Sequence, residues 1–355
     1  TGEILAMVGS FDYYNRAIDG QVNVATANRQ PGSSFKMITY TAAFATKRHY
    51  PSSLVADVPL RKVDISNKQT GFYTPVNYDG KYHGTPTYRS ALANSYNIPA
   101  LLVQDAVTTP EVIKMARTLG ITTELPSVPS LTLGAGVVRL LDMTSAYGVM
   151  ANGGVRVEPT PFLKITDREG RVIHELGQSK GQQVVPGFVA SQIADVLSDV
   201  AARRPMFGNV LDLAPAPDTR TVRTAAVKTG TTNDYKDSWT IGFTPSLVTG
   251  VWVGNTDNSP MLQVAGSLGA GYIWKDFMDS TLRGLPNEAF RMTPDAVRAP
   301  ICPGNRQTDL FAVDGVPSRC PATLVPSREW QGYVPPELAP FMPRGTASTQ
   351  NTQRR

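Results

Sequence analysis

Histidine and cysteine are scarce in this 355-residue chain: three of the first and two of the second. His49, His83 and His174 stand far apart, and two cysteines add little, so no ligand set for zinc or an iron–sulfur centre is legible. Dense basic stripes are also missing. Thirty-four Lys+Arg against 29 Asp+Glu give a net charge of +5, but the basic clusters are pairs such as Arg203-Arg204 and Arg354-Arg355. That is too thin for a nucleic-acid footprint. No apolar run approaches the roughly 18 residues of a membrane span, and no signal peptide is present. The chain opens on Thr1 with a strand-like segment and reads as a fragment or processed form, so the missing anchor says nothing about the parent protein. Charged residues make up only 18% but hydrophobic residues 41%, which excludes the disordered class and allows a sizeable core.

The order of patterns predicts an α+β fold. Residues 1–10, TGEILAMVGS, read as a central strand. A turn at Arg29-Gln30-Pro31-Gly32 precedes a buried helix over 33–48, whose small and apolar residues include no Gly or Pro. Helices follow over 89–107, with an interruption at 94–99, over 109–120 with Pro110 in the first turn, and over 137–151, stopped by Asn152-Gly153-Gly154. Residues 155–175 read as a hairpin turning at 167–170. Residues 186–204 give a long helix, 224–229 and 238–254 give strands with a break at 244–246, and 270–282 give a closing helix. The expected architecture is an antiparallel sheet formed by both chain ends with helices on its faces. After residue 284 proline becomes frequent. The chain is therefore divided into a domain at 1–284 and a Pro-rich extension at 285–355, its last residues disordered. Cys302 and Cys320 lie in that extension. A disulfide between them would staple a stretch with little core-forming pattern and imply an oxidising, extracytoplasmic setting, while two unpaired thiols are the alternative.

Three short motifs carry chemistry. Ser33-Ser34-Phe35-Lys36 is an S-x-x-K, Ser95-Tyr96-Asn97 an S-x-N, and Lys228-Thr229-Gly230-Thr231 a K-T-G followed by a further Thr. Chance alone gives roughly 0.7, 0.9 and 0.1 occurrences, so only the ordered set is informative. Singly, each has an ordinary reading: a helix cap, a surface lysine, a turn residue, a strand end. Together they supply a nucleophile, a base, a proton shuttle and a carboxylate clamp. Positions i and i+3 of a helix share a face, so Ser33 and Lys36 point the same way, whereas Ser34 points elsewhere. A serine hydroxyl needs a base, no histidine accompanies it, and a lysine can serve only if burial and a second cation lower its pKa. Lys228 is the candidate second cation. The helix start offers the Ser33 N–H to an oxyanion hole, an edge strand offers a second donor at Thr231, and Gly230 puts no side chain between strand and substrate. Thr229, Thr231 and Lys228 suit a substrate carboxylate.

At these residues the sequence resembles the transpeptidase domain of penicillin-binding proteins, the acyl-serine family that includes serine β-lactamases. TGEILAMVGS, YNRA, RQPGSSFK, LTLGAGVVRLLDMTSAYGVMANGG and KTGTTNDYKDSWTIGFTPSLVTGVWVGN are similar to the class A, bifunctional members, and the likeness runs over roughly residues 1–282. Met37 departs from the family's usual proline, and S-Y-N stands where S-D-N is also common. The resemblance implies D,D-transpeptidation of peptidoglycan stem peptides. Ser33 is then the nucleophile, Lys36 the acylation base and Ser95 the proton relay. Asn97 holds Lys36 and the substrate amide, Lys228 biases the electrostatics, and Thr229 and Thr231 bind the terminal carboxylate. The Ser33 and Thr231 N–H groups form the oxyanion hole. It also implies covalent inhibition by β-lactams, no cofactor or metal, an extracytoplasmic location, cell-wall assembly partners, and a membrane segment and glycosyltransferase domain upstream. Alternatives on the same fold are a D,D-carboxypeptidase, a serine β-lactamase or a catalytically silent binding module. None of the glutamates begins the E-x-x-L-N of class A β-lactamases.

Overall fold

The strand-forming residues after position 225 build the scaffold on which everything else packs. The computed structural model describes residues 1–64, 68–177 and 181–332. Its principal sheet has three antiparallel strands in sequence order: β1 (Ala226–Thr231), β2 (Asp237–Phe243) and β3 (Val248–Gly254). The register pairs Lys228 with Ile241, Thr231 with Ser238, and Trp239 with Trp252. All seven residues of β2 are buried, because each face of the sheet is covered. Trp239, Ile241 and Phe243 enter the main core with the central helices. On the other face Val227 joins a smaller cluster with Trp274, Met278 and Leu282, beneath helix α8 (Ala270–Thr281). Gly242 makes this close packing possible, since a Cβ there would stand 2.4 Å from the Trp274 ring.

At the centre lies α1 (Lys36–Ala45), buried at nine of its ten residues. A helix apolar or small on every side belongs inside a domain, and KMITYTAAFA has no charge after its first residue. It packs against α3 (Asn97–Val107), α4 (Thr109–Thr118) and α6 (Gly187–Ser198). Helix α5 (Leu140–Ala151) bridges to β2 and β3. The short α2 (Tyr88–Ala93), capped by Thr87 Oγ1 accepting from Ser90 N at 3.1 Å, leads into the loop before α3. The α+β class and the helices on both faces agree with the sequence reading.

Three elements differ. The hairpin expected over 155–175 is confined to Lys164–Thr166 and Val172–Glu175, while Val155–Arg156 pairs with Gln182–Gln183. The strand expected at residues 1–10 is reduced to a bridge between Glu3 and Thr160. Its backbone groups bond elsewhere: Ile4 N–H to Thr160 O at 2.9 Å, and Gly9 O to Val24 N–H at 2.9 Å. The principal sheet therefore draws its strands from 226–254 and not from both chain ends. A continuous apolar run cannot reveal which edge it will join, and Gly2, at φ +87°, breaks the extended path. The helix expected over 186–204 is divided at Asp199, whose Oδ1 accepts from Ala202 N at 2.9 Å and so starts α7 (Val200–Phe207). An aspartate competes for backbone donors and favours a helix start over a helix interior.

The segment after residue 284 returns to the body of the protein. Ala296–Pro300 and Thr308–Ala312 form an antiparallel hairpin against α6. Trp330–Gly332 pairs with Leu60–Val63, and Thr323–Leu324 with Leu54–Val55. Cys302 and Cys320 are joined in a disulfide. Arg89 on α2 ties the hairpin to the helices, with ion pairs to Asp309 of the hairpin (2.8 Å), Asp195 of α6 (2.5 Å) and Asp199 (3.2 Å). The disorder expected for the last residues lies outside the described residues. Among the described residues no helix is long and apolar enough to cross a membrane.

Arg89→Ala leaves three aspartates without their shared cation, at a cost of about 2–4 kcal/mol. Chemical denaturation should show that loss. Arg89→Lys should recover only part of it, because an ammonium cannot fork between carboxylates as a guanidinium does.

Candidate active site

The chain enters the site through Gly32, whose φ of +53° is one that a side chain would strain. A single 3-10 turn, Gly32–Phe35, runs directly into α1 at Lys36. In that geometry residues three apart are eclipsed, so Ser33 and Lys36 share a face. Ser34 is committed to structure. Its Oγ donates to Pro31 O at 2.7 Å, and its carbonyl accepts from the Tyr147 hydroxyl at 2.8 Å. Ser33 is half-buried, and no described residue hydrogen-bonds its hydroxyl.

Between α2 and α3 the backbone turns at Ser95, which adopts φ +63°. A non-glycine residue there carries a strain of about 1–2 kcal/mol. The turn aims the Ser95 carbonyl at Lys36 Nζ, which donates to it at 2.6 Å. Lys36 Nζ also donates to Asn97 Oδ1 at 2.7 Å and lies 3.4 Å from Ser95 Oγ. From the other side Lys228 Nζ donates to Ser95 Oγ at 2.8 Å and to Thr229 O at 2.8 Å. Two amines from distant parts of the chain thus converge on one hydroxyl. Lys36 is 0% exposed and Lys228 1%, so little water is available to solvate either charge. Burial, and next the Lys228 charge, hold the Lys36 pKa well below the ordinary lysine value, against an upward pull from Asp57. Burial brings Lys228 down to about 7. Both shifts favour the neutral form of an amine.

Strand β1 reaches the Ser33 turn because two glycines meet backbone to backbone. A Cβ on Gly230 would lie 2.2 Å from Pro31 O, and one on Gly32 would lie 2.5 Å from Thr231 O. Thr231 therefore sits beside the residue that precedes Ser33. Alternation along β1 sends Lys228 and Gly230 toward this turn and puts Thr229 and Thr231 together on the face of the sheet that carries Thr240 and Ser238; Thr229 is 6% exposed. The Thr231 hydroxyl accepts from Gly266 N–H at 2.8 Å, which leaves its own proton free to donate. Ser33, Lys36, Ser95, Asn97, Lys228 and Gly230 thus line one site, the Thr231 backbone lies against Gly32, and the Thr229 and Thr231 side chains share the adjoining face of β1. Cys302 and Cys320 belong to the C-terminal segment.

Sequence reasoning missed three supports. Asn77 Oδ1 accepts from the N–H groups of Asn97 (2.7 Å) and Ile98 (3.3 Å), acting as a cap for α3 from a different loop. Helix α3 starts after Tyr96, which offers no side-chain cap, so the acceptor comes from elsewhere, and nothing in the sequence marks Asn77 as its source. Gly134 passes so close to Gly32 that a Cβ there would stand 2.3 Å from Gly32 N. Tyr147 fixes the Ser34 carbonyl next to Ser33. Neither of these is visible before the fold is known.

Comparison with known proteins places these residues in context. The family described as penicillin binding protein transpeptidase domain matches residues 1–279. The chain is similar to penicillin-binding protein 2D of Bacillus subtilis, 35% identical over 82% of this chain and 41% of that protein. It is similar also to penicillin-binding protein 1A of Aquifex aeolicus, 34% identical over 89% and 42%. It thus spans about two fifths of the length of these curated relatives. Among solved structures, penicillin-binding protein 1A from Haemophilus influenzae superposes with a TM-score of 0.74 at 25% identity, over 88% of this chain and 52% of that one. The PonA1 protein from Mycobacterium tuberculosis, solved in complex with penicillin V, gives 0.64 at 28% identity, over 76% and 73%.

Removing the charge of Lys228 removes a like charge from beside Lys36, so Lys36 should hold its proton more tightly. Titrating the lysine side chains by NMR in the wild type and in Lys228→Gln, we expect the Lys36 midpoint to move up by about 1–2 pH. A midpoint already at an ordinary lysine value in the wild type would contradict the buried-pair electrostatics.

Proposed function

This chain belongs to the penicillin-binding protein transpeptidase domain family, and from that premise we propose that it is a D,D-transpeptidase cross-linking peptidoglycan stem peptides. The observation that carries the reading is the convergence of Lys36 and Lys228 on Ser95 Oγ, at 3.4 and 2.8 Å, beside a serine hydroxyl left free. Ser33 Oγ attacks the carbonyl of the penultimate D-Ala while neutral Lys36 takes its proton. The tetrahedral oxyanion is held by the N–H groups of Ser33 and Thr231, a role that the abutment of Gly32 and Thr231 supports. On collapse the C–N bond breaks. The Ser95 hydroxyl passes a proton to the leaving nitrogen and is reprotonated from the lysine side, and D-Ala departs as an amine. Lys228 keeps the surrounding potential positive, and Thr229 and Thr231 hold the donor's terminal carboxylate. An acceptor amine from a second stem peptide then attacks the Ser33 ester, forms the cross-linking amide and returns the proton through the same relay.

β-Lactams are proposed as covalent inhibitors that acylate Ser33, consistent with a relative solved with penicillin V. The parent protein is proposed to carry a glycosyltransferase domain and a membrane segment upstream, with this domain on the extracytoplasmic side. The Cys302–Cys320 disulfide supports an oxidising compartment. Residues 1–284 form the catalytic unit in this reading. The extension from 285 is a strap on it, as the hairpin against α6 and the Arg89 ion pairs support.

Incubation with a fluorescent penicillin followed by peptide mapping should place a stoichiometric adduct on the peptide containing Ser33. Ser33→Ala should show none by mass spectrometry, and an adduct surviving in that variant would overturn the assignment. With a D-Ala-D-Ala donor and an added amine acceptor, the amide product should appear together with released D-Ala. Release to water alone would make the protein a carboxypeptidase.

A further inference from the structure

Behind Lys36 lies a second polar layer that this chemistry does not use. Asp57 is 0% exposed. Both of its oxygens accept from Asn77 Nδ2 at 2.9 Å. Its Oδ2 also accepts from the His83 backbone N–H at 3.0 Å and lies 2.6 Å from His83 Nδ1. Asn77, itself 2% exposed, donates in addition to Lys81 O at 2.7 Å. The remaining polar atom of Asn77, Oδ1, is the one that accepts from Asn97 and Ile98. His83 lies flat on the Tyr96 ring, with centroids 3.8 Å apart and planes at 11°.

We propose that Asp57 and Asn77 are positioning residues for acylation: a buried carboxylate–amide strut that holds the first turn of α3 so that Asn97 Oδ1 meets Lys36 Nζ and Ser95 stays between the two amines. The inference rests on the transpeptidase reading above. An amide can present either face, but an ionised carboxylate only accepts. With Asp57 on one side, the Asn77 NH2 group must face it, so Oδ1 must face α3. The strut thereby supplies the cap that Tyr96 lacks. It also holds in place a residue, Ser95, whose left-handed backbone persists only if its surroundings enforce it. Stacking of His83 on Tyr96 clamps the middle of the same tripeptide. Asn97 is tied down a second time, since its Nδ2 donates to Val76 O at 2.8 Å, one residue before Asn77. Geometry at Lys36 is thus set from a loop that contributes no reacting group.

The Asp57 carboxylate has an electrostatic effect as well. Its negative charge favours the protonated form of Lys36 and opposes the downward effect of burial and Lys228. The titratable groups facing this layer are Lys36 and Tyr40 from α1, Tyr96 before α3, and His83 and Asp79 from the loop, with Asp79 Oδ2 at 3.2 Å from His83 Nε2.

The test measures fluorescent-penicillin acylation against pH and concentration, separating the limiting acylation rate from the preceding noncovalent affinity. For Asn77→Ala we expect a limiting rate about 10- to 100-fold lower with affinity little changed, as for a displaced catalytic group. Asn77→Ser is the milder probe should the alanine variant fail to fold. Asp57→Asn sets two amide NH2 groups against each other and removes the anion, so the rate should fall and its ascending pH limb should move to lower pH. The reciprocal double variant Asp57→Asn/Asn77→Asp restores a donor facing an acceptor and should recover at least about 10-fold of the loss. Folded Asn77→Ser and Asp57→Asn proteins that acylate within twofold of wild type on an unchanged pH limb would overturn the strut while leaving the transpeptidase reading intact. A wild type that takes no label at Ser33 would overturn both.

Discussion

Two lysine amines buried against one serine hydroxyl are the constraint around which this structure is organised. A protein interior with no water at hand does not accept two neighbouring ammonium charges, and the cheapest resolution is the loss of a proton. Burial and mutual repulsion therefore favour a neutral amine in this site, without a histidine. Each surrounding element serves that arrangement. Helix α1 is buried along nearly its whole length, and its one charged residue is the first. Ser95 accepts a strained backbone so that both its carbonyl and its hydroxyl are directed at lysines. Asp57 supplies a fixed negative charge behind the pair.

The second requirement is close approach. The Ser33 turn, the turn at Gly134 and β1 are separated by many tens of residues in the chain, and they meet at distances that side chains would forbid. Gly32, Gly134 and Gly230 stand at the contacts, each where a Cβ would fall within 2.5 Å of a backbone atom of a neighbouring segment. Their absent side chains bring Thr231 alongside Ser33.

How much of this was legible in the sequence follows from which interactions are local. The i, i+3 relation of Ser33 and Lys36, the hairpin of β2 and β3, the helix over α5 and the choice of Ser33 over Ser34 all follow from short-range spacing. The convergence of Lys228 with Lys36 was reachable only through chemistry: a lysine base needs a second cation, and one motif offered it. Asn77 and Asp57 were not reachable. An asparagine in a Pro- and Gly-rich loop looks like any turn residue, and nothing local says that its amide will cap a helix twenty residues on. The first ten residues misled for a related reason, since a run such as Ile4 to Val8 shows strand character but not which edge it joins. Asp199, read as part of one long helix, began a new one because its side chain found its own backbone donors.

Arg89 shows in what order such a molecule can be completed. Its partners Asp195, Asp199 and Asp309 all come later in the chain, the last of them by 220 residues. The guanidinium belongs to the helix that ends just before Ser95. While the chain is still emerging from a ribosome or an export channel, that helix carries a cation whose full set of counter-charges has not yet arrived. Docking of the C-terminal hairpin, which brings Asp309, therefore closes the ring of carboxylates around a helix that runs into the Ser95 turn.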